Sequence, residues 1–267
     1  MDYIHGYSDR EQERLIQQAQ YWREELILKD LDYQPRESLL EIGCGAGAVL
    51  GILGKAFPDL KLAGIDLEDK QIDYARNYLN GLDLSVDLRV GDASSLPWAD
   101  NSFDRIYAIW FLEHLPDPLQ VLQEAKRVLQ PGGTITVTET DYRTILVTPE
   151  SLEYRYLIDS LCELLLQAKG HPYIGQSLGT LLTKASFSRV ENKPFPVHHA
   201  FNLDSQKLRG FIEYVDSWLA PTVEQAATEL GKDLQKLQAG LNWFRGIADR
   251  SDGAISATIY RASATIG

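Results

Sequence analysis

Three glycines at alternate positions, placed at the end of a short apolar run, constrain this chain more than any other feature. The run is Ser38–Gly43, and Gly45 and Gly47 follow it. Because glycine has no Cβ, such a loop can turn tightly and let a ligand lie directly against the backbone. Asp66 stands nineteen residues after Gly47, where the next apolar run ends. Its carboxylate can accept hydrogen bonds from both ribose hydroxyls of an adenosine, so the pair of features predicts a nucleotide site.

Strand and helix signals alternate around this loop. Strands are predicted at Ser38–Gly43, Leu60–Asp66, Leu84–Gly91, Phe103–Ile109 and Gly133–Glu139, and later at Ser188–His198 and Gly253–Ala262. Helices are predicted at about 8–30 and at Val49–Phe57, Asp69–Asn80 and Pro118–Leu129. Strand, helix and strand in this rhythm indicate a parallel sheet with helices on both faces. Ligands of such sheets bind where the strands end and their order reverses, which here is after the first strand.

Charge and composition limit the kinds of partner that the protein can bind. The chain has 38 acidic and 26 basic residues and a formal charge of −12, so its surface repels phosphates and anionic lipid head groups. We therefore expect no nucleic-acid partner. No apolar run approaches the roughly 18–20 residues of a membrane helix, and the start lacks a secretion signal. The expected location is the cytoplasm, with no membrane partner.

Metal and disulfide chemistry are not expected. The two cysteines, Cys44 and Cys162, lie far apart in different contexts, which gives no disulfide framework and no four-ligand zinc site. His198 and His199 have no third ligand at a matching spacing, so they are interpreted as the end of a strand.

The glycine loop alone leaves two ligands open. Gly43-x-Gly45-x-x-Ala48 also satisfies the looser dinucleotide pattern, which keeps NAD as an alternative. Glu41, just before the glycines, would anchor the turn and could approach a cationic group, whereas a pyrophosphate would be repelled by it. Asp92, after the third strand, could accept a hydrogen bond from an adenine amino group. A dehydrogenase would also need a Tyr-x-x-x-Lys or similar dyad after the fourth strand, and none is present.

Six motifs in order, over about residues 38–138, resemble the class I S-adenosylmethionine-dependent methyltransferases. They are Glu41-x-Gly43-x-Gly45-x-Gly47, Asp66, Gly91-Asp92-Ala93, Ser102-Phe103-Asp104, Glu113-His114-Leu115 and Leu129-x-Pro131-Gly132-Gly133. The resemblance is greatest to the small-molecule branch that includes the menaquinone and ubiquinone methyltransferases. Each motif alone is weak, but their order and spacing together are specific.

This resemblance implies S-adenosylmethionine as methyl donor and S-adenosylhomocysteine as product. Gly43, Gly45 and Gly47 would pass beneath the methionine part, and Asp66 would hold the ribose. The other expected donor contacts are Glu41 and Cys44 in the loop, Leu67 beside the adenine, Gly91, Asp92 and Ala93 on its far side, and Trp110 near the sulfonium. Cys44 is interpreted as a small loop filler rather than a nucleophile, because no basic residue nearby would favour its thiolate.

Two segments are candidates for catalysis. His114 follows the fourth strand, where this fold usually meets its acceptor, and could remove a proton from it. In similar proteins a histidine here often only orders the loop. Tyr7 could lie near the sulfonium if the N-terminal segment folds across the donor, with Arg14, Gln17 and Gln18 behind it. The alternative is an ordinary capped surface helix.

The predicted fold is therefore α/β, a Rossmann-like, doubly wound, mostly parallel sheet of seven strands with helices on both faces and a helical cap. Residues 1–37 would close over the donor, 38–140 would form the binding core, and 141–267 would complete the sheet. Helical insertions at about 141–175 and 203–250 would form the cap. The predicted reaction is in-line methyl transfer to an unidentified small-molecule acceptor. The alternatives are an NAD-dependent oxidoreductase and a non-catalytic protein that binds S-adenosylmethionine.

Overall fold

The computed structural model describes residue 6 and residues 8–267. They form an α/β fold in which helices pack on both faces of one β-sheet. The strands are β1 (Ser38–Ile42), β2 (Lys61–Asp66), β3 (Val86–Val90), β4 (Phe103–Ile109), β5 (Leu129–Thr140), β6 (Leu146–Thr148), β7 (Ser188–Ala200) and β8 (Ala254–Thr265). The helices are α1 (Asp9–Tyr21), α2 (Ala48–Ala56), α3 (Asp69–Gly81), α4 (Pro118–Val128), α5 (Leu152–Gln167), α6 (Leu178–Lys184), α7 (Phe201–Glu229) and α8 (Leu234–Gly246).

The strand order is β3-β2-β1-β4-β5-β8-β6, with β7 on the other side of β8. Strands β1 to β5 are mutually parallel, and β8 runs antiparallel to β5, β6 and β7. The chain order reverses between β1 and β4, so the carboxyl ends of these two strands flank the crevice where such sheets bind ligands. The predicted doubly wound, mostly parallel sheet is confirmed.

The sheet has one strand more than the sequence predicts. After β5 pairs Thr140 with Ile259, the chain leaves the sheet for five residues and returns as β6, which pairs Leu146 with Ser256. Strand β6 therefore continues the line of β5 along the same edge of β8. We predicted helix from residue 141, and this was wrong for the first part of the segment, because β8 offers an unpaired edge there that three residues can fill.

Two cores lie on opposite faces of the sheet. On one face the buried side chains come from α1, α2 and α3 together with the cap helices α5, α7 and α8. On the other face they come from α4 and α6. Successive residues of β1 divide between the two cores, since Leu39 belongs to the first core and Leu40 to the second.

Helix α7 is interrupted near its start, where the carboxylate of Asp204 accepts the N–H groups of Gln206 and Lys207. Within the described part of the chain, no helix has the length and apolarity needed to cross a bilayer.

The N-terminal helix is shorter than predicted. Ser8 accepts the N–H of Glu11 at the start of α1, which ends at Tyr21 and is followed by a π-helical turn at Arg23–Ile27. Buried Arg261 of β8 fixes this turn to the sheet. Its guanidinium donates to the backbone carbonyls of Leu26 and Lys29 and to the side chains of Thr138 and Tyr107. The last carbonyls of a helix lack partners one turn further on, so this arginine supplies donors at the end of the turn and also binds two fully buried side chains, those of Thr138 and Tyr107.

We expect Arg261→Met to lower the free energy of unfolding by about 2–4 kcal/mol, because it removes the hydrogen bonds of a buried guanidinium to Leu26, Lys29, Thr138 and Tyr107. Urea denaturation followed by far-UV circular dichroism measures the change. Arg76→Met is the matched control, since exposed Arg76 pairs only with exposed Asp73 across one turn of α3, and its loss should cost less than about 0.5 kcal/mol. Equal effects of the two substitutions would contradict the role given to Arg261.

Candidate functional site

The glycine loop between β1 and α2 adopts a backbone that needs glycine. Gly43, Gly45 and Gly47 have φ angles of 72°, 47° and 75°, in the left-handed region. A Cβ on Gly43 would lie 2.2 Å from the ring of Phe111, whereas one on Gly45 would meet only Leu15, at 3.5 Å. The N–H groups of Gly43 and Cys44 both donate to the carbonyl of Ile65, which turns the loop toward β2. The loop is thus packed against the protein at Gly43 and open at Gly45.

Asp66 is tied directly to this loop. Its Oδ2 accepts the backbone N–H of Gly45 at 2.9 Å, and its Oδ1 accepts the N–H of Glu68 at 3.1 Å. Burial raises the pKa of the Asp66 carboxyl, and these backbone hydrogen bonds oppose the rise. Each carboxylate oxygen has a further lone pair, so the group can still accept from a ligand.

Glu41 lies beneath the loop at the end of β1. It is almost fully buried, and this burial raises the pKa of its carboxyl well above the usual range, against the effect of the nearby Leu50 N–H at the start of α2. Its Oε2 has no hydrogen-bond partner among the described residues. Gln71, in the first turn of α3, has an equally orphaned buried Oε1. Buried polar atoms normally have partners, so two unpartnered oxygen atoms on one cavity wall fit a ligand that donates hydrogen bonds.

One cavity joins these groups along the carboxyl ends of β1, β2, β4 and β5. Around the glycine loop, its lining includes Glu41, Gly43, Cys44, Gly45, Asp66, Leu67, Gln71, Gly91, Asp92 and Ala93. Helix α1 contributes Arg14, Leu15, Gln18 and Ala19. The far end is lined by Trp110, Phe111, Glu113, His114, Leu115, Thr140, Tyr142, Leu165, Ala168, Gly170, Tyr214 and Trp218. Of the residues predicted for the site, Gly47, Gln17 and Tyr7 are not among these. Gly47 lies just before α2 and faces Ala75 and Leu79, Gln17 is exposed on α1, and Tyr7 lies outside the described residues.

The remaining donor-side residues differ in exposure. Leu67 is about half exposed, at 52%. Asp92 is exposed and uses its Oδ1 to accept the N–H of Ser94, which orders the turn after β3. Trp110 has a positive φ of 48° and donates its indole N–H to the hydroxyl of Thr140. Cys44 is buried, and burial raises the pKa of its thiol, so it is a neutral filler at neutral pH.

A buried acidic cluster holds the loop that follows β4. Glu139, at the end of β5, accepts the backbone N–H groups of Phe111 and Leu112 at 3.0 and 2.7 Å. Next to it, Glu113 accepts the hydroxyl of Tyr142 at 3.3 Å, and its other oxygen has no partner among the described residues. Burial raises the pKa of Glu113 to about 8, and burial together with the charge of Glu113 raises that of Glu139. Neither carboxyl was assigned a role from the sequence, although Glu113 belongs to the Glu-His-Leu motif.

The Nε2 atom of His114 lies 3.5 Å from the Oε1 atom of Glu113. Burial, together with the charge of Arg14, lowers the pKa of His114 to about 4. The imidazole is therefore neutral at pH 7, and the same burial makes it a weak base. The other candidate histidines lie away from the cavity on β7, where His198 contacts Ser256 and His199 packs on Phe211. No three metal-ligating side chains come together in residues 6 and 8–267.

Comparison with known proteins identifies the domain in which this cavity lies. Residues 40–137 match the family model of a methyltransferase domain, and they include the glycine loop and Asp66. The matched segment of the chain is therefore a methyltransferase domain.

Individual relatives agree with this assignment. The chain is 34% identical over 169 residues to an uncharacterized 37.1 kDa protein from a Streptomyces fradiae transposon, a match covering 61% of this chain and 47% of that protein. The match thus spans about half of that relative's length. The chain is also 28% identical over 194 residues to the demethylmenaquinone methyltransferase of Bacillus cereus. This match covers 67% of this chain and 81% of that protein. The crystal structure of a Bacillus halodurans protein described as a methyltransferase shares the fold, with a TM-score of 0.60 at 17% identity over 90% of this chain and 96% of that one.

In this methyltransferase domain, Gly43→Ala should lower the free energy of unfolding by about 2 kcal/mol or more. Alanine would be strained at the positive φ of this position, and its Cβ would displace the ring of Phe111. Gly81→Ala is the control, since a Cβ at the end of α3 meets nothing within 4 Å. Its effect should be neutral or stabilising by up to about 1 kcal/mol. Chemical denaturation distinguishes the two, and a harmless Gly43→Ala would show that the loop tolerates a side chain.

The buried carboxyls predict a pH dependence of stability. Burial raises the pKa values of Glu41, Asp66, Glu113 and Glu139 in the folded state, so the folded protein binds more protons than the unfolded chain. The lowered pKa of His114 acts in the opposite direction below about pH 6.5, so the free energy of unfolding should fall as the pH rises from about 6.5 to about 8. Glu113→Gln should make this fall smaller, and Glu229→Gln, at an exposed position on α7, should not alter it. Urea denaturation at several pH values measures the slopes; an unchanged slope in Glu113→Gln would contradict the burial argument.

Proposed function

We propose that this protein transfers the methyl group of S-adenosylmethionine to a small-molecule acceptor bound in the cavity between the sheet and its cap helices. The observation that carries the proposal is the hydrogen bond from the Gly45 N–H to Asp66. It holds the Asp66 carboxylate beside an open glycine backbone on one cavity wall, an arrangement that suits a ribose. The cavity continues past the donor side to a second, aromatic end, which gives an acceptor its own place.

The donor would lie along the ends of β1, β2 and β3. In this arrangement Gly43, Gly45 and Gly47 form the loop under the methionine part, with Glu41 and Cys44 in support. Asp66 would bind the ribose hydroxyls. The adenine would lie between Leu67 and the turn formed by Gly91, Asp92 and Ala93, and Trp110 would lie near the sulfonium. The orphaned oxygen of Glu41 is suited to the α-amino group, because a buried carboxylate gains most from a cationic hydrogen-bond donor.

Residues 1–37 would cover the donor from above. Leu15 of α1 lies opposite the open face of Gly45, and Arg14 and Gln18 line the same cavity. Arg14 is itself held by Glu11 and Gln18 through short hydrogen bonds. Tyr7 would extend this cover toward the sulfonium. Cover of this kind excludes water and aligns the two reactants, which is the main requirement when the methyl group is already activated.

The bound donor supplies an electrophilic methyl group for a one-step displacement. The chain's own residues then need only orient the acceptor in line and take up a proton where the acceptor has one. His114 is placed for this on the acceptor side, and its neutral imidazole can accept a proton. No step requires a metal ion.

The alternatives make different use of the same loop. The buried carboxyl of Glu41 beneath the glycines would disfavour the pyrophosphate of NAD, which supports the adenosyl ligand. A protein that binds S-adenosylmethionine without turnover would bind the donor equally well, so turnover must be measured separately. We further propose that the acceptor is a small molecule, because the charge of −12 disfavours nucleic acids. We also propose that the protein acts in the cytoplasm.

The donor site is tested by isothermal titration with S-adenosylmethionine, S-adenosylhomocysteine and NAD. Both adenosyl ligands should bind and NAD should not. Asp66→Asn should weaken adenosyl binding at least about tenfold, because it removes a charged acceptor from the ribose hydroxyls. Asp73→Asn is the matched control: Asp73 is exposed on α3 and pairs with Arg76, and its loss should leave binding unchanged. Binding of NAD without adenosyl binding would overturn the proposed function.

A further inference from the structure

The acceptor end of the cavity is acidic at its base. Glu113 is nine-tenths or more buried, lines the cavity, and has one carboxylate oxygen without a hydrogen-bond partner among the described residues. It lies after β4, on the side of the switch point away from Asp66, so it is not part of the ribose or adenine site. A buried oxygen of this kind calls for a donor from the ligand.

Aromatic rings surround this carboxyl. Tyr142 donates its hydroxyl to Glu113 and meets the ring of Trp218 edge to face, with centroids 6.0 Å apart. Trp110 and Tyr214 line the same end of the cavity. The faces of Trp and Tyr rings attract cations, and more strongly where water is excluded.

A helix end adds negative potential. Helix α5 ends at Gln167 against the cavity, and Leu165, Ala168 and Gly170 around that terminus line it. The carboxyl end of a helix carries a partial negative charge that favours a nearby cation. This contribution is independent of the acidic side chains.

The positive charge on the described wall does not balance these groups. Arg14 is the one Lys or Arg among the described lining residues, and it is already paired with Glu11 by two hydrogen bonds. His114 is neutral at pH 7. Four acidic side chains line the described part of the cavity, those of Glu41, Asp66, Asp92 and Glu113, and an anionic acceptor would find no available counter-charge there.

We propose that the acceptor is an amine, held as a cation between Glu113 and the rings of Tyr142 and Trp218. This inference rests on the proposed methyl transfer and specifies its acceptor class. Glu113 gives up its proton to solvent as the cation enters, and the resulting carboxylate binds the ammonium group and takes one of its protons, which leaves a neutral nitrogen with a free lone pair. That lone pair forms the new N–C bond as the methyl–sulfur bond breaks. The positive charge passes from sulfur to nitrogen, and the protonated Glu113 returns its proton to solvent after release.

Choline and two isosteres test the charge requirement directly. 3,3-Dimethylbutan-1-ol is neutral and 3,3-dimethylbutyrate is anionic, whereas choline keeps its charge at every pH. Titrated into protein saturated with S-adenosylhomocysteine, choline should bind at least about tenfold more tightly than either isostere. Its affinity should rise from pH 7 to pH 9 as Glu113 ionises. Since choline does not titrate, that change must come from the protein.

The groups facing Glu113 could also titrate, so variants assign the effect. His114, Tyr142, Glu139, Cys162 and Tyr214 are these neighbours. Glu113→Gln should remove both the preference for choline and its pH dependence, and Trp218→Leu should reduce the preference while keeping the pH dependence. Glu229→Gln, on the exposed side of α7, should behave as wild type.

The outcomes separate the two proposals. If S-adenosylhomocysteine itself does not bind, the proposed function fails. If it binds normally but choline binds no better than the isosteres, or equally well to Glu113→Gln, the amine acceptor is overturned and the function stands. Unchanged affinity for S-adenosylhomocysteine in each variant shows that it is folded. Should Glu113→Gln not fold, an undiminished choline preference in Trp218→Leu would still overturn the proposal.

Discussion

The site depends on one buried carboxyl. Glu139 ends β5 and accepts two consecutive N–H groups, those of Phe111 and Leu112, from the loop that follows β4. This holds the loop against its neighbouring strand and places the ring of Phe111 over Gly43, in space that any other residue at position 43 would fill. The loop in turn carries Trp110, Glu113 and His114. The glycine turn and the acceptor end of the cavity are therefore fixed by the same pair of hydrogen bonds.

A second constraint joins the ends of the chain. Arg261, near the C-terminus, binds the carbonyls that end the N-terminal helical segment, and it does so from the strand that runs antiparallel in the sheet. Helix α1 is thereby held above the glycine loop, with Leu15 opposite Gly45. The cavity has a covering helix because the last strand supplies a buried cation at this point. Without it, this end of the helical segment would lose its hydrogen bonds to the sheet, and its packing there would be less stable.

Charge divides the cavity into two functions. Asp66 and Glu41 belong to the strand ends on the proposed donor side, where a ribose and an amino group would give them partners. Glu113 lies on the other side of the switch point, among aromatic rings and near the end of α5. Burial leaves these carboxyls with raised pKa values, so their charge state depends on what is bound beside them. Ligand binding and proton uptake are coupled in such a site.

The sequence by itself determined the sheet and the donor side, because their signals are local. The glycine spacing, Asp66 at a strand end and the parallel rhythm each follow from a few neighbouring residues, and strand ends of a parallel sheet must share one edge. The tertiary structure alone decided the length of α1, the extra strand β6 and the acceptor end. The contact of Arg261 with Leu26 spans 235 positions, and that of Tyr142 with Glu113 spans 29. Such pairings, and the pKa shifts that burial produces, depend on which surfaces meet in three dimensions, which no local pattern records.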